Sequence, residues 1–346
     1  MKENYLAVIP AAGKGTRAMC LTGYGAILKP FINATEKGST VLEETVKEII
    51  CSGLNEISII VNGDEDEKIF RKFFSPFEAD PSLKESLTAR NLQDDINFIN
   101  TLSSLEISYF AQPVANGFGD AIAKVYPKVN ANKDFNGIVV ILGDDLVFSK
   151  TPGCRQLISA HKQTGSMIVG VQEVSYEDAK KFGVVLIDTD NGMLDLSDDF
   201  NGKAAYRVTG VEEKPKNPAP NIVEGRKRYY AVLGRYVLNR DDISFLAGED
   251  GTMQKELDFT SLFQKNIREQ KLIAVDIEGE WHTVGSSLAA QMAQIKYGIS
   301  QYGKNGDLSN DGKKLALYAI KVMRENGILT EKSEHVFELA KDMKGG

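Results

Sequence analysis

Apolar positions along the chain follow two rhythms. YLAVI (5–9) contains no polar residue, and EISIIV (56–61) and LEISYF (105–110) are rich in β-branched and aromatic side chains. GIVVIL (137–142) is a continuous apolar run, the pattern of a central strand buried on both faces. SMIVGVQEV (166–174) reads as another strand. Between these runs, VLEETVKEIICS (41–52), EKIFRKFF (67–74), DAIAKVY (120–126) and a segment around 154–163 carry helical spacing. Residues 76–104 are polar and weakly periodic and read as an inserted loop or helical excursion. The β-α alternation up to residue 174 predicts a doubly wound, mostly parallel α/β sheet of Rossmann-like type.

The second half changes character. FGVVLID (182–188), YRVTGVEEKP (206–215) and RYYAVLGRYVL (228–238) are strands separated by turn-rich segments, which predicts antiparallel additions to the sheet. Helices follow at 239–247 and 255–268, then a strand, LIAVDIE (272–278). From residue 286 onward the pattern is helical. Its amphipathic stretches at 313–326 and 334–343 predict a helical C-terminal tail suited to packing or oligomer contacts. The acidic run DEDE (64–67) reads as a solvated helix start.

Composition narrows the function classes. The chain has 346 residues, 42% hydrophobic and 26% charged, as in an ordinary globular protein. A net charge of −7 argues against general nucleic-acid binding, which needs a basic face. Cys20, Cys51 and Cys154 form no CxxC pair or His-linked metal spacing, so reduced thiols are expected. The opening MKENYLAVIPAAG lacks the long apolar region and cleavage site of a signal peptide, and no apolar stretch approaches membrane-spanning length. A cytoplasmic protein without a membrane span is the expectation.

The candidate chemistry begins at PAAGKGTR (10–17), a glycine loop directly after a strand. A dinucleotide site needs G-x-G-x-x-G and an acid at the end of the next strand. Here Ala18 stands at the third glycine position, and the next strand ends far downstream, near Asn62. The Walker-type run G-x-x-x-x-G-K-[ST] is absent. GKGTR instead offers backbone N–H groups and Arg17 to a triphosphate, with Lys29 as a second fixed cation before Pro30. A tight turn with solvated Arg and Lys is the plainer alternative for the loop alone.

Three further motifs follow. Gln112, Gly117 and Gly119 end one strand and open a helix, where an amide can meet a pyrimidine edge; a glycine turn at a helix start is the plain alternative. Asp144 and Asp145 follow the central strand at the end where open α/β sheets bind ligands, and a carboxylate there can hold Mg²⁺ between phosphates. A turn-forming Asp is the plain alternative. Glu213 and Lys214 close a strand before Pro215 and can serve a sugar hydroxyl and a sugar phosphate together; alone, they would read as a surface ion pair. His161, His282 and His335 are scattered and receive no catalytic role.

Taken in order, AVIPAAGKGTR (7–17), AILKP (26–30), QPVANGFGDAI (112–122), VVILGDDLV (139–147), FGVVLID (182–188), VTGVEEKPKNPAPN (208–221), AVLGRYVL (231–238) and SSLAAQMAQIKYGI (286–299) resemble the sugar-1-phosphate nucleotidyltransferases, in their glucose/UTP branch. The resemblance implies a catalytic domain over 1–300, with a nucleotide half (1–174) and a sugar-phosphate half (175–300), followed by the helical appendage 301–346. It implies formation of UDP-glucose and pyrophosphate from UTP and glucose 1-phosphate with Mg²⁺, and a homodimer or homotetramer. Ala11, Ala12, Gly13, Gly15, Thr16 and Arg17 match the phosphate loop, with Arg17 on the β- and γ-phosphates. Lys29 matches the lysine near the α-phosphate. Gln112 and Gly117 match the uracil-reading positions, and Asp144 matches a nucleotide-site metal ligand. Gly183 and Glu213 match groups on the sugar, and Lys214 matches the group on its phosphate.

Two departures stand out. The Arg17–Lys29 spacing is longer than the family pattern, and AMCLTGYGA lacks the usual proline and carries two glycines. Where the family has a second metal-binding aspartate, the run Trp281-His282-Thr283-Val284-Gly285 carries threonine. Three outcomes follow: Asp144 and phosphates hold the metal with water; Asp145 or Glu280 takes over; or the protein is a weakly active or regulatory relative. The same reaction with dTTP or CTP, or with another sugar 1-phosphate, is a further alternative.

Overall fold

The computed structural model describes residues 4–13, 22, 27–34, 39–190, 192–197, 200–248, 259–285 and 289–294, with isolated positions at 303–304, 307–308, 318 and 321. The amphipathic stretches expected at 313–326 and 334–343 lie outside the described residues, apart from Tyr318 and Lys321.

The chain opens with β1 (Tyr5–Pro10). A 3₁₀ turn, Lys29–Phe31, precedes α1 (Val41–Cys51), whose first turn is capped by the Thr40 hydroxyl accepting from the Glu43 amide at 3.1 Å. Next come β2 (Glu56–Val61) and α2 (Asp64–Phe74). As expected, the four acids open α2 and meet its N-terminal dipole. The polar stretch after it forms three short helices, α3 (Pro76–Ala79), α4 (Ser82–Ala89) and α5 (Gln93–Ser103). Of these only α5 buries side chains, Ile96 and Leu102, which explains the weak periodicity.

Beyond lie β3 (Glu106–Ala111), α6 (Phe118–Ala123) and α7 (Tyr126–Ala131). The sequence reading ran one helix across 120–126; two helices stand there because Pro127 opens the second. They are followed by β4 (Gly137–Ile141), β5 (Asp145–Phe148), α8 (Gly153–Thr164) and β6 (Met167–Val174). The second half holds α9 (Tyr176–Ala179), β7 (Gly183–Ile187), β8 (Ala204–Glu213), β9 (Asn221–Val223) and β10 (Arg226–Leu238). It continues with α10 (Arg240–Ala247), α11 (Phe259–Arg268), β11 (Leu272–Asp276) and β12 (Glu280–Thr283).

The main sheet has the order β3-β2-β1-β4-β10-β6-β11-β8-β7. Strands β1, β2, β3, β4, β6, β7 and β11 share one direction, and β8 and β10 run against them. The expected mostly parallel sheet with antiparallel additions is therefore present. One addition, β10, lies in the middle of the sheet between β4 and β6. Its length and two-sided burial suit that place: Tyr230, Tyr236 and Leu238 pack on one face, Leu233 and Val237 on the other.

Helices cover both faces. α6, α7, α10 and α11 pack beside Leu6, Val8, Ile138 and Val140. α1, α2, α5 and α8 pack beside Tyr5, Ala7, Ile9, Val139 and Ile141. The alternation along β1 and β4 thus feeds two cores at once, which is why both runs lack polar residues. Outside the sheet, β5 and β12 form a two-stranded ribbon that sequence reading did not separate from its surroundings.

Candidate active site at the strand ends

The carboxyl end of β4 runs through Leu142 into Gly143, Asp144 and Asp145. Lys29, from the 3₁₀ turn, donates from its ammonium to the Asp144 carboxylate. The two side chains are 15% and 21% exposed, so the pair is shielded yet reachable from solvent. Beside them, the glycine loop begins where β1 ends: the Ala11 amide donates to Ile60 at 2.8 Å, and Ala11 and Ala12 are buried. Gly13 is described; Gly15, Thr16 and Arg17 lie outside the described residues.

Asp145 faces the other way. Its carboxylate accepts the Gly234 amide at 3.1 Å beneath the loop. Burial, with the neighbouring Asp144 charge, pushes its pKa up to about 6, against the opposing pull of Arg235, Trp281 and Thr283. At Gly234 an added Cβ would stand 2.5 Å from both the Asp145 carboxylate and the Leu142 side chain, so only glycine permits the approach.

The β5–β12 ribbon places Thr283 opposite Asp145. The Val284 amide donates to the Asp144 carbonyl at 2.7 Å, and the Thr283 hydroxyl reaches the same carbonyl at 3.4 Å. Thr283 thus holds the main chain of Asp144. Glu280 pairs with Phe148 at the far end of the ribbon from Asp145. Gln156 and Gln172 fix the chain entering β12: Gln156 brackets Glu278 with bonds of 2.8 and 2.9 Å, and Gln172 accepts from the Trp281 amide at 3.0 Å.

On the β3 side, the structure brings Gln112 and Gly117 together. The buried Gln112 amide donates to the Gly117 carbonyl at 3.0 Å and to Asp120 at 2.5 Å. Gly117 takes φ +98° at the start of α6, a conformation open to glycine.

The residues expected on the sugar side also meet. Gly183 and Glu213 are register partners across β7 and β8, and the Lys214 ammonium lies 3.0 Å from the Glu213 carboxylate. The Lys214 amide donates to the Phe182 carbonyl at 3.1 Å, which ties the strand end across to β7. The Asn221 side chain bonds the main chain of β7, accepting from Ile187 at 2.9 Å and donating to Val185 at 3.0 Å.

β10 joins the two groups. Val232 flanks Gly183, and two residues on Gly234 bonds Asp145. The intervening bulge, between Val232 and Tyr236, bends the strand there. Tyr236 follows it: burial, then the charges of Asp145, Glu213 and Asp144, raise its hydroxyl pKa. One phenol therefore senses carboxylates from both groups.

Sequence reading missed Arg235 and Glu48. Arg235 is fully buried in β10 and forks onto Glu48 of α1, with a shortest contact of 2.8 Å. The available clue was a charge inside the apolar run AVLGRYVL, since an interior guanidinium requires a partner.

Comparison with known proteins matches this arrangement. Residues 6–297 match the family model described as nucleotidyl transferase. A UTP–glucose-1-phosphate uridylyltransferase of Bacillus subtilis is 30% identical over 304 residues, covering 86% of this chain and 92% of that protein. A second, UTP–glucose-1-phosphate uridylyltransferase 2 of Staphylococcus saprophyticus, is 29% identical over 318 residues, covering 92% of this chain and 100% of the relative. A UDP-glucose pyrophosphorylase structure from Acinetobacter baumannii shares the fold with a TM-score of 0.70 at 21% identity, over 93% of this chain and 100% of its own. The order of the strands, the loop after β1 and the match over 6–297 agree: the chain belongs to the nucleotidyl transferase family.

Proposed function

We propose that the protein joins UTP and α-D-glucose 1-phosphate into UDP-glucose, releasing pyrophosphate. The observation that carries this reading is the Lys29–Asp144 pair at the end of β4, linked through β10 to Gly183, Glu213 and Lys214. The uridylyltransferase names of the relatives above support the choice of nucleotide and sugar.

In this reading Ala11, Ala12, Gly13, Gly15, Thr16 and Arg17 hold the β- and γ-phosphates. Gln112, whose amide nitrogen is turned to Gly117 and Asp120, presents its oxygen to the uracil N–H, and Gly117 lets the base approach the backbone. Glu213 accepts a glucose hydroxyl beside Gly183, and Lys214 neutralises the sugar phosphate. A phosphate oxygen of glucose 1-phosphate attacks the α-phosphorus in line. A new O–P bond forms as the bond to the β-phosphate bridging oxygen breaks, and that oxygen leaves with the electron pair as pyrophosphate. The attacking phosphate is already anionic, so no general base is needed. Catalysis rests on positioning and charge neutralisation, with Lys29 near the α-phosphate.

Among the described residues no three His, Cys, Asp or Glu side chains gather as a metal cage. A Mg²⁺ ion carried by nucleotide phosphates needs only one or two protein carboxylates beside water, and Asp144 suits that role. When bound, such an ion neutralises charge on the phosphates. Thr283 favours a second reading, an attenuated enzyme, because its hydroxyl serves the Asp144 carbonyl. A large rate gain on Thr283→Asp supports that reading. No gain opposes it.

The nucleotide-half and sugar-half division at residue 174 and assembly as a homodimer or homotetramer through the C-terminal tail belong to the same proposal. Among the described residues, no helix is long and apolar enough to cross a membrane. The test is pyrophosphate release from glucose 1-phosphate with UTP, dTTP, CTP, ATP and GTP in turn. UTP is expected to give the fastest release. Release with none of the five ends the proposal.

A further inference from the structure

Arg235 does more than close a buried ion pair. A guanidinium has five N–H donors in a rigid plane, and Glu48 uses only some of them. Nε lies 3.1 and 3.2 Å from the two Glu48 oxygens, and Nη2 lies 2.8 Å from one of them. The remaining donors go to main-chain carbonyls, two of which flank the Gly143–Asp144 turn. Nη2 reaches the Asp145 carbonyl at 2.8 Å, and Nη1 reaches Gly234 at 3.1 Å with a longer contact to Leu142 at 3.4 Å. The carbonyls on either side of the Gly143–Asp144 pair are thus held by one planar group.

Glu48 is fixed in turn. It accepts the Cys154 amide of α8 at 2.9 Å, so α1 and α8 together set the angle of the fork. The Gly234 amide completes the circuit by bonding the Asp145 carboxylate. A lysine at 235 would keep the charge but not the planar fork.

We infer that Arg235, oriented by Glu48, is the positioning residue of the Asp144 loop: it holds the main chain on both sides of Asp144 so that its carboxylate faces the phosphates of the bound nucleotide. This rests on the nucleotidyl-transfer reading. The rival explanation is that the pair only stabilises the core.

The test separates the two. Arg235→Met combined with Glu48→Leu replaces the ion pair by apolar bulk, an exchange that often preserves folding. Arg235→Lys keeps the charge opposite Glu48. Measured are kcat, KM for glucose 1-phosphate, the Mg²⁺ concentration at half-maximal rate, and the emission of Trp281. Trp281 is the single tryptophan of the chain, and it lies in β12 opposite Val147 of β5, the strand that begins at Asp145.

In the folded double variant, kcat is expected to fall about tenfold or more while KM for glucose 1-phosphate stays within about twofold. The Mg²⁺ requirement should rise, and Trp281 emission should shift to the red without any substrate present. Parent-like kcat, Mg²⁺ dependence and emission in that variant overturn the inference. If the double variant does not fold, Arg235→Lys decides by the same readouts. A parent protein that releases no pyrophosphate with any nucleotide sinks the activity reading alone. The Trp281 comparison then still decides the inference: a red shift supports it and an unchanged spectrum overturns it.

Discussion

The Lys29 ammonium rests directly on the Asp144 carboxylate, at the carboxyl end of the central strand β4. The two come from segments far apart in sequence, Lys29 expected near the α-phosphate and Asp144 expected as a metal ligand of the same nucleotide. Their contact means that neutralising either one changes the charge seen by the other.

Coupling between this pair follows. Asp144→Asn and Lys29→Met are each expected to lower kcat/KM by about tenfold or more, or about 1.4 kcal/mol in the barrier. Because the groups touch, the double variant should lose less than the product of the single losses. A steady-state double-mutant cycle measures this. Fully multiplicative losses would show that the pair does not act together.

Lys214 carries a different prediction. It sits on the strand end beside Glu213 with its side chain half exposed, and the fold makes little use of it. Lys214→Ala should therefore leave the urea midpoint nearly unchanged while kcat/KM for glucose 1-phosphate drops about tenfold or more. Unchanged kinetics would place the sugar phosphate elsewhere.

Glu48→Gln should behave in the opposite manner for stability. Burial pushes the Glu48 carboxyl up, but Arg235 and the Cys154 amide outweigh it and hold the group below its ordinary value. Removing one partner strands a buried guanidinium, at a cost of about 3–5 kcal/mol. Urea unfolding of the variant checks this, and a loss under about 1 kcal/mol would contradict it.

His161 sets an acid limit on the fold. It is buried between the Tyr5 hydroxyl at 2.9 Å and the Asn239 amide oxygen at 3.0 Å, which a neutral ring satisfies. Burial lowers its pKa against the opposing effects of Asn239 and Asp242. The unfolded chain therefore takes up its proton first as pH falls. The stability from the neutral ring is complete above the unfolded value of about 6.5 and is lost as pH drops from there towards the lower folded value. Urea midpoints of the parent should decline across that window, and His161→Gln should flatten the decline. Equal slopes would contradict the account.

Much of the sheet was legible because its central strands are buried on both faces and read as unbroken apolar runs, GIVVIL above all. Strand order was not: nothing in RYYAVLGRYVL says that it enters between β4 and β6, since pairing partners are chosen by tertiary packing. The polar helices α3 to α5 hid for a related reason, burying too little to leave a period. In the site, Lys29, Asp144, Gln112, Gly117, Glu213 and Lys214 stood out in short motifs and Gly183 through the family resemblance, and the structure gathers them into the pairs described. The supports behind them did not stand out. Glu48 looked like any helical glutamate, and Gln156, Gln172 and Asn221 act through side-chain amide bonds to the main chain that leave no motif.

The most direct measurement is a crystal structure of the protein with UDP-glucose. The account expects uracil beside Gln112 and Gly117, the diphosphate between Asp144 and Lys214, and a glucose hydroxyl on Glu213. A nucleotide sugar bound away from the end of β4, or seated with its glucose far from Glu213 and Lys214, would contradict it.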